Sequence, residues 1–281
     1  MSTTPRIATL TPRQAELLGL LLDEMAGPAP QGRCLPERAE VRETAGEITL
    51  VVIHGAGGGT LFLHQLARHL SPGHGLVGIN ADFASDSATP APQDTEGLMG
   101  RYVEAVRTGG QPGAPLHLGG YSSGCLIALE VARRIEASGD PVASLTLIDP
   151  ALLPASEALR QDRRSPLELL ARRFETARLA GITPVSRVYP TVARVQEVVS
   201  AIAAIVRADP VSAPFHLLRA TQGPEALSAA EIARWAARTS SGLFMSEVAA
   251  DHAGIIAEPG IAAVGAAIMK WFSNPHSLEA V

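Results

Sequence analysis

The feature that most constrains this chain is an alternation of short apolar runs with amphipathic segments. "EITLVVI" at 47–53, "GLVGIN" at 75–80, "PLHLGGY" at 115–121 and "ASLTLI" at 143–148 are rich in Val, Ile and Leu and nearly free of charge. A strand with one wet face alternates apolar and polar residues, whereas a run that is apolar throughout must be covered on both faces. Between these runs, residues 61–70, 94–107 and 123–138 carry apolar side chains at helical spacing, as with Leu98, Tyr102, Val103 and Val106. Strand–helix–strand repetition of this kind predicts an α/β fold, a mostly parallel sheet flanked by helices. The rhythm resumes late in the chain with the strand "APFHLLRA" at 213–220, a helix near 228–238, the strand "LFMSEVA" at 243–249 and a final helix from Pro259 to Phe272.

Two regions depart from the rhythm. Residues 1–40 are expected to form an N-terminal helix and a linker, leaving 41–281 as the main domain. Thr11 can cap a helix over 11–26, Pro12 suits its first turn, and leucines follow at 17, 18, 20, 21 and 22. The next stretch, "GPAPQGRCLPERAE", has linker composition. The leucine-rich helix would pack on its own domain or on a second copy in a homodimer. The second departure spans about 151–210, where "SPLELLARRFETARLA" and "TVARVQEVVSAIAAIVRA" follow in series with no strand between them. A helical insertion after a sheet strand is expected to be a lid over the strand ends.

Composition removes several function classes. A formal net charge of −5 argues against nucleic acid as the main partner. The N-terminus lacks the charged start and apolar run of a secretory signal, and no stretch is long and apolar enough to span a bilayer. The two cysteines, Cys34 and Cys125, lie far apart, so a reducing cytoplasm is the expected setting.

The chemistry centres on "GGYSSGC" at 119–125. Gly-x-Ser-x-Gly fits Ser122, with Gly120 and Gly124 two residues to either side; Ser123 has Tyr121 and Cys125 there instead. A strand turning sharply into a helix strains the residue at the turn, and the glycines leave room for that turn. The serine oxygen then projects at a helix N-terminus, where the backbone N–H of Ser123 faces a developing oxyanion. A strand before and a helix after supply the required context, so Ser122 is expected to be a nucleophile. Cys125, one turn into the helix, reads as a small buried residue.

A serine hydroxyl needs a base. Of eight histidines, only His216, His252 and His276 follow the expected lid. His216 falls inside a strand and His276 in the tail, whereas His252 opens the loop after the last strand, where Ser…Asp/Glu…His order puts the base. The acid is expected to be Asp149, at the carboxyl end of "LTLID", ahead of Glu225 in the loop after the following strand. Asp251 adjoins His252 too closely in sequence for the required geometry. A second oxyanion donor is expected from the glycine-rich loop "HGAGGG", at the backbone N–H of Ala56, with His54 structural. That loop matches neither phosphate-binding nor dinucleotide-binding spacing.

Taken together, "VVIHGAGGGTLFLHQLARHL", the stretch from "GRYVEAVRTGG" through "SLTLIDP", and "SEVAADHAGIIAEPG" resemble the thioesterase domains of non-ribosomal peptide and polyketide synthases. The resemblance runs from about Glu47 to Phe272 and is weakest in the lid; "GYSSGC" looks more like the peptide synthetase branch. It implies an α/β-hydrolase fold and a triad of Ser122, Asp149 and His252, with Ala56 and Ser123 as the oxyanion hole. It also implies an acyl or peptidyl carrier protein as partner, presenting its acyl chain on phosphopantetheine, and a mechanism that needs no metal or redox cofactor. Ala250-Asp251 precedes His252 where that family commonly has Gly-Asp. No carrier domain is present upstream, so the chain is expected to be a discrete enzyme or an excised terminal domain. Arg160, Arg163, Arg164, Arg172, Arg173 and Arg178 in the lid could meet an acidic carrier, but a solvated helix face is the favoured explanation. The competing readings are a general carboxylester hydrolase and a catalytically silent hydrolase fold that only binds.

Overall fold

Each apolar run falls on a strand of one eight-stranded sheet, in the order β1-β3-β2-β4-β5-β6-β7-β8. The strands are β1 (Pro36–Arg42), β2 (Ile48–Ile53), β3 (His74–Ala81), β4 (Leu116–Tyr121), β5 (Val142–Ile148), β6 (Phe215–Ala220), β7 (Leu243–Val248) and β8 (Glu279–Ala280). The structure is a computed structural model and describes residues 36–42, 48–55, 58–81, 94–110, 113–150, 202, 205–223, 226–274 and 279–280. Among the described residues the six strands from β2 to β7 pair in parallel, and only the two edges, β1 on β3 and β8 on β7, are antiparallel.

The α-helices among the described residues are α1 (Leu63–Leu66), α2 (Thr95–Gly109), α3 (Gly124–Ala137), α4 (Ala229–Ala236) and α5 (Gly260–Ser273). They divide the core into two layers. In β2, Val51 and Ile53 join Leu98, Tyr102, Ile127 and Val131 of α2 and α3 on one side. Leu50 and Val52 join Leu63, Leu66, Val264 and Ile268 of α1 and α5 on the other. This two-sided burial is the reason the central strands carry no polar alternation.

Local chemistry sets the helix starts. Asp94 caps α2 by accepting from the Gly97 N–H at 2.8 Å. Ser228 and Glu231 form a reciprocal capping box at α4. The helix expected over 61–70 is shorter than its pattern implies: α1 gives way to a 3-10 turn over Ala67–His69. Arg42 donates to the carbonyls of Ala67, Leu70, Ser71 and His74, satisfying acceptors that the shortened helix leaves open.

One boundary needs correction. Residues 36–40, expected as linker, belong to β1, which pairs with β3 from Pro36↔Ala81 to Arg42↔Leu76. A charged run reads as linker, but it also suits an edge strand, where one side of the ladder faces away from the sheet. The helix expected over 11–26 lies outside the described residues, as does most of the expected lid. At the lid's end, Ile202 is buried and joins the layer beneath α3, with Ile205 and Val206 packed against it. Among the described residues no helix is long and apolar enough to cross a membrane.

Candidate active site

The site lies at the carboxyl ends of β4, β5 and β7, where open parallel sheets place their ligands. β4 ends at Tyr121 and α3 begins at Gly124, so the chain reverses within two residues. Ser122 takes up that reversal in the left-handed region, at φ 54°. Its N–H donates to the Ile148 carbonyl at 2.9 Å, tying the turn to β5. The flanking glycines are required by contact. A Cβ on Gly120 would lie 2.5 Å from backbone atoms of Gly124, and one on Gly124 would lie 2.1 Å from the His54 carbonyl oxygen. A side chain at either position would push the helix off the strand.

Asp149 follows β5 directly and is also left-handed, at φ 40°. Its N–H donates to the Leu218 carbonyl at 2.8 Å, and its Oδ1 accepts from the Ala220 N–H at 3.0 Å. Both bonds fasten the carboxylate to β6 and leave Oδ2 directed at the imidazole of His252. There the Nδ1–H of His252 donates to Oδ2 at 2.6 Å. The opposite ring nitrogen, Nε2, accepts from the Ser122 hydroxyl at 2.9 Å. With Nδ1 committed as donor, Nε2 carries the free lone pair, the tautomer that can take a proton. The Asp149 side chain is 3% exposed and that of His252 15%. The imidazole therefore faces the solvent side of the site while the carboxylate is sealed in.

The Ser123 N–H donates to no acceptor among the described residues, and Ser123 immediately precedes α3. It is a free donor at a helix N-terminus, suited to an anion. Ala56 lies outside the described residues, but the turn leading to it is anchored. The Gly55 carbonyl accepts from the His54 Nδ1–H at 2.7 Å and from the Gly58 N–H at 2.9 Å. The Tyr102 hydroxyl donates to His54 Nε2 at 2.6 Å. Burial lowers the His54 pKa to about 4, partly opposed by its bond to Gly55, so this ring stays neutral and structural.

Other sequence candidates stand elsewhere. Asp251 accepts from the Gly254 N–H at 2.7 Å and so closes its own turn. His216 lies in β6, 3.0 Å from Ser246 Oγ and stacked on Trp271, with its pKa lowered to about 3 by burial. Cys125 is buried, 3.0 Å from the Gly120 carbonyl, and desolvation pushes its thiol pKa up, the reverse of what a thiolate nucleophile needs. Glu225, His276 and the lid arginines lie outside the described residues. One contact had no signal in the sequence. The Tyr121 hydroxyl donates to the His252 carbonyl at 2.8 Å across 131 positions of chain, and nothing in residue spacing reports such a pairing.

Four likenesses to known proteins bear on this site. The family model described as Thioesterase domain matches residues 48–262. The non-reducing polyketide synthase CTB1 of Cercospora nicotianae is 37% identical over 103 residues, covering 37% of this chain and 5% of that one. The N-(5-amino-5-carboxypentanoyl)-L-cysteinyl-D-valine synthase of Amycolatopsis lactamdurans is 36% identical over 111 residues, 39% of this chain and 3% of that one. The chain thus spans only a small fraction of the length of these curated relatives. The crystal structure of the NocB thioesterase domain in covalent complex with a fluorophosphonate nocardicin G analog is 27% identical. It covers 85% of this chain and 100% of that chain, with a TM-score of 0.66.

Proposed function

The chain belongs to the thioesterase domain family, and from that premise we propose that it releases a peptide or polyketide acyl chain from a carrier protein's phosphopantetheine thiol through an acyl-Ser122 intermediate. Family membership makes it a hydrolase; the assignment of roles to residues is our reading. The observation that carries it is the line Ser122 Oγ–His252 Nε2, 2.9 Å, and His252 Nδ1–Asp149 Oδ2, 2.6 Å, at a strained strand–helix turn.

In this reading His252 Nε2 takes the Ser122 proton as Oγ bonds to the thioester carbonyl carbon. The carbonyl oxygen becomes an oxyanion and is met by the Ser123 N–H, with the Ala56 N–H as the second donor. Asp149 stabilises the imidazolium and holds its tautomer. The oxyanion collapses, the C–S bond breaks, and the thiol leaves with the proton from His252. Water, or a hydroxyl or amine of the acyl chain itself, then attacks the Ser122 ester with His252 again as base. The product is an acid or a ring, and Ser122 is restored. A partner bearing phosphopantetheine, an acyl or peptidyl carrier, delivers the substrate.

The test is a panel of acyl-pantetheine thioesters set beside simple esters of the same acids, with products separated by mass spectrometry. Thioester turnover that releases pantetheine thiol and disappears in Ser122→Ala is expected. Turnover of simple esters alone would overturn the carrier reading in favour of a general ester hydrolase.

A further inference from the structure

From the contacts around His252 we infer that Tyr121 is a positioning residue for the base, holding both its ring and its main chain; this rests on the triad proposed above. His252 stands on the loop between β7 and the 3-10 turn at Gly254, so no regular element fixes it. Its two ring nitrogens are tied to Asp149 and Ser122, but those bonds lie along the ring edge and leave the plane free to tilt about the line between them. Tyr121 restrains that remaining freedom. Its ring stacks on the imidazole with centroids 5.1 Å apart and planes 26° from parallel. Its hydroxyl donates to the His252 carbonyl at 2.8 Å, pinning the same residue's backbone.

Tyr121 is itself wedged. Phe62 packs on it with centroids 5.5 Å apart and planes at 59°. On another side it lies against Gly55, where a Cβ would come within 2.8 Å of Tyr121 Cδ1. The absence of a side chain at Gly55 is therefore what admits the tyrosine ring. Tyr121 is also the last residue of β4, adjacent to Ser122. The nucleophile and the clamp on its base thus move as one rigid strand end. When His252 takes up a proton, the aromatic face beside it also favours the cationic ring.

The test uses the whole chain and a fluorophosphonate probe, in which Ser122 Oγ displaces fluoride from phosphorus and no carrier is needed. Labelling rate, kcat and KM for an acyl-pantetheine thioester, and Tm are measured for Tyr121→Phe, Tyr121→Leu and the packing control Phe62→Leu. Tyr121→Phe keeps the ring and should slow labelling and kcat about fivefold, the scale of one hydrogen bond. Tyr121→Leu loses both restraints and should slow them about a hundredfold with KM little changed, the scale of a misplaced catalytic group. Phe62→Leu, which leaves the hydroxyl bond in place, should cost Tm more than rate. Labelling of Tyr121→Leu at the wild-type rate would overturn the positioning role and leave the triad standing. A wild-type chain that takes no label at Ser122 would overturn both.

Discussion

Replacing Gly124 by alanine should damage this protein even though Gly124 opens a helix. Helix propensity alone favours alanine over glycine by up to about 1 kcal/mol. The added Cβ, however, would sit 2.1 Å from the His54 carbonyl oxygen and 2.6 Å from that of Ile53. Carbon and carbonyl oxygen approach to ~3.3 Å at closest comfort, so helix and strand must separate by about 1 Å. Both obstructing atoms are backbone, and Ile53 ends a central strand, so the strain falls near the upper end of overpacking costs, about 3 kcal/mol. For a chain of this size that lowers Tm by about 6–12 °C. The same displacement moves Ser122 against His252, and an ångström of misplacement costs about a hundredfold in rate. Gly100→Ala is the control. Gly100 lies inside α2, and a Cβ there meets nothing within 4 Å. It should stabilise by about 0.5–1 kcal/mol and leave the rate alone. Urea denaturation and fluorophosphonate labelling read both quantities. A Gly124→Ala protein as stable and as quickly labelled as Gly100→Ala would refute the claim that close backbone contact dictates the glycine.

Asp149→Asn should retain the fold, since an amide oxygen can still accept the Ala220 N–H. It should lower kcat by about 10⁴ with KM nearly constant, because the imidazolium loses its counter-charge and its tautomer is no longer enforced; steady-state kinetics on an acyl-pantetheine thioester checks this. Acid should destabilise the protein through its buried histidines. His54 titrates at 6.5 when unfolded and at about 4 when folded. Above pH 6.5 it contributes no difference between the two states. Between 6.5 and about 4 the unfolded chain binds the extra proton, so unfolding free energy falls with pH, by about 3 kcal/mol in all for this residue. His117, lowered to about 4, and His216, lowered to about 3, act in the same direction. Urea midpoints that stay flat from pH 7 to 4.5 would contradict this.

Much of the fold was legible because burial on two faces writes itself into composition: Ile48–Ile53 and Val142–Ile148 read as covered strands from their residues alone. The turn at Ser122 was legible because it demands glycines at fixed offsets, and the place of Asp149 because it ends an apolar strand. Other features had no local cause. The charged residues of Pro36–Arg42 form a strand only because β3 offers an open edge. Arg42 serves the carbonyls that follow α1 from 25 to 32 positions away in the chain. Tyr121 looked like a spacer inside a glycine motif. Its hold on His252 depends on where two strands end in space, and a one-dimensional pattern does not encode that.

The most direct test of the central claim is intact-protein mass spectrometry during turnover of an acyl-pantetheine thioester, quenched in acid at early times. The account predicts a transient mass gain equal to the acyl group, mapped by proteolysis to Ser122 and absent from Ser122→Ala, which should not turn over. Thioester consumed at the wild-type rate by Ser122→Ala, or an acyl adduct mapped to any other residue, would contradict it.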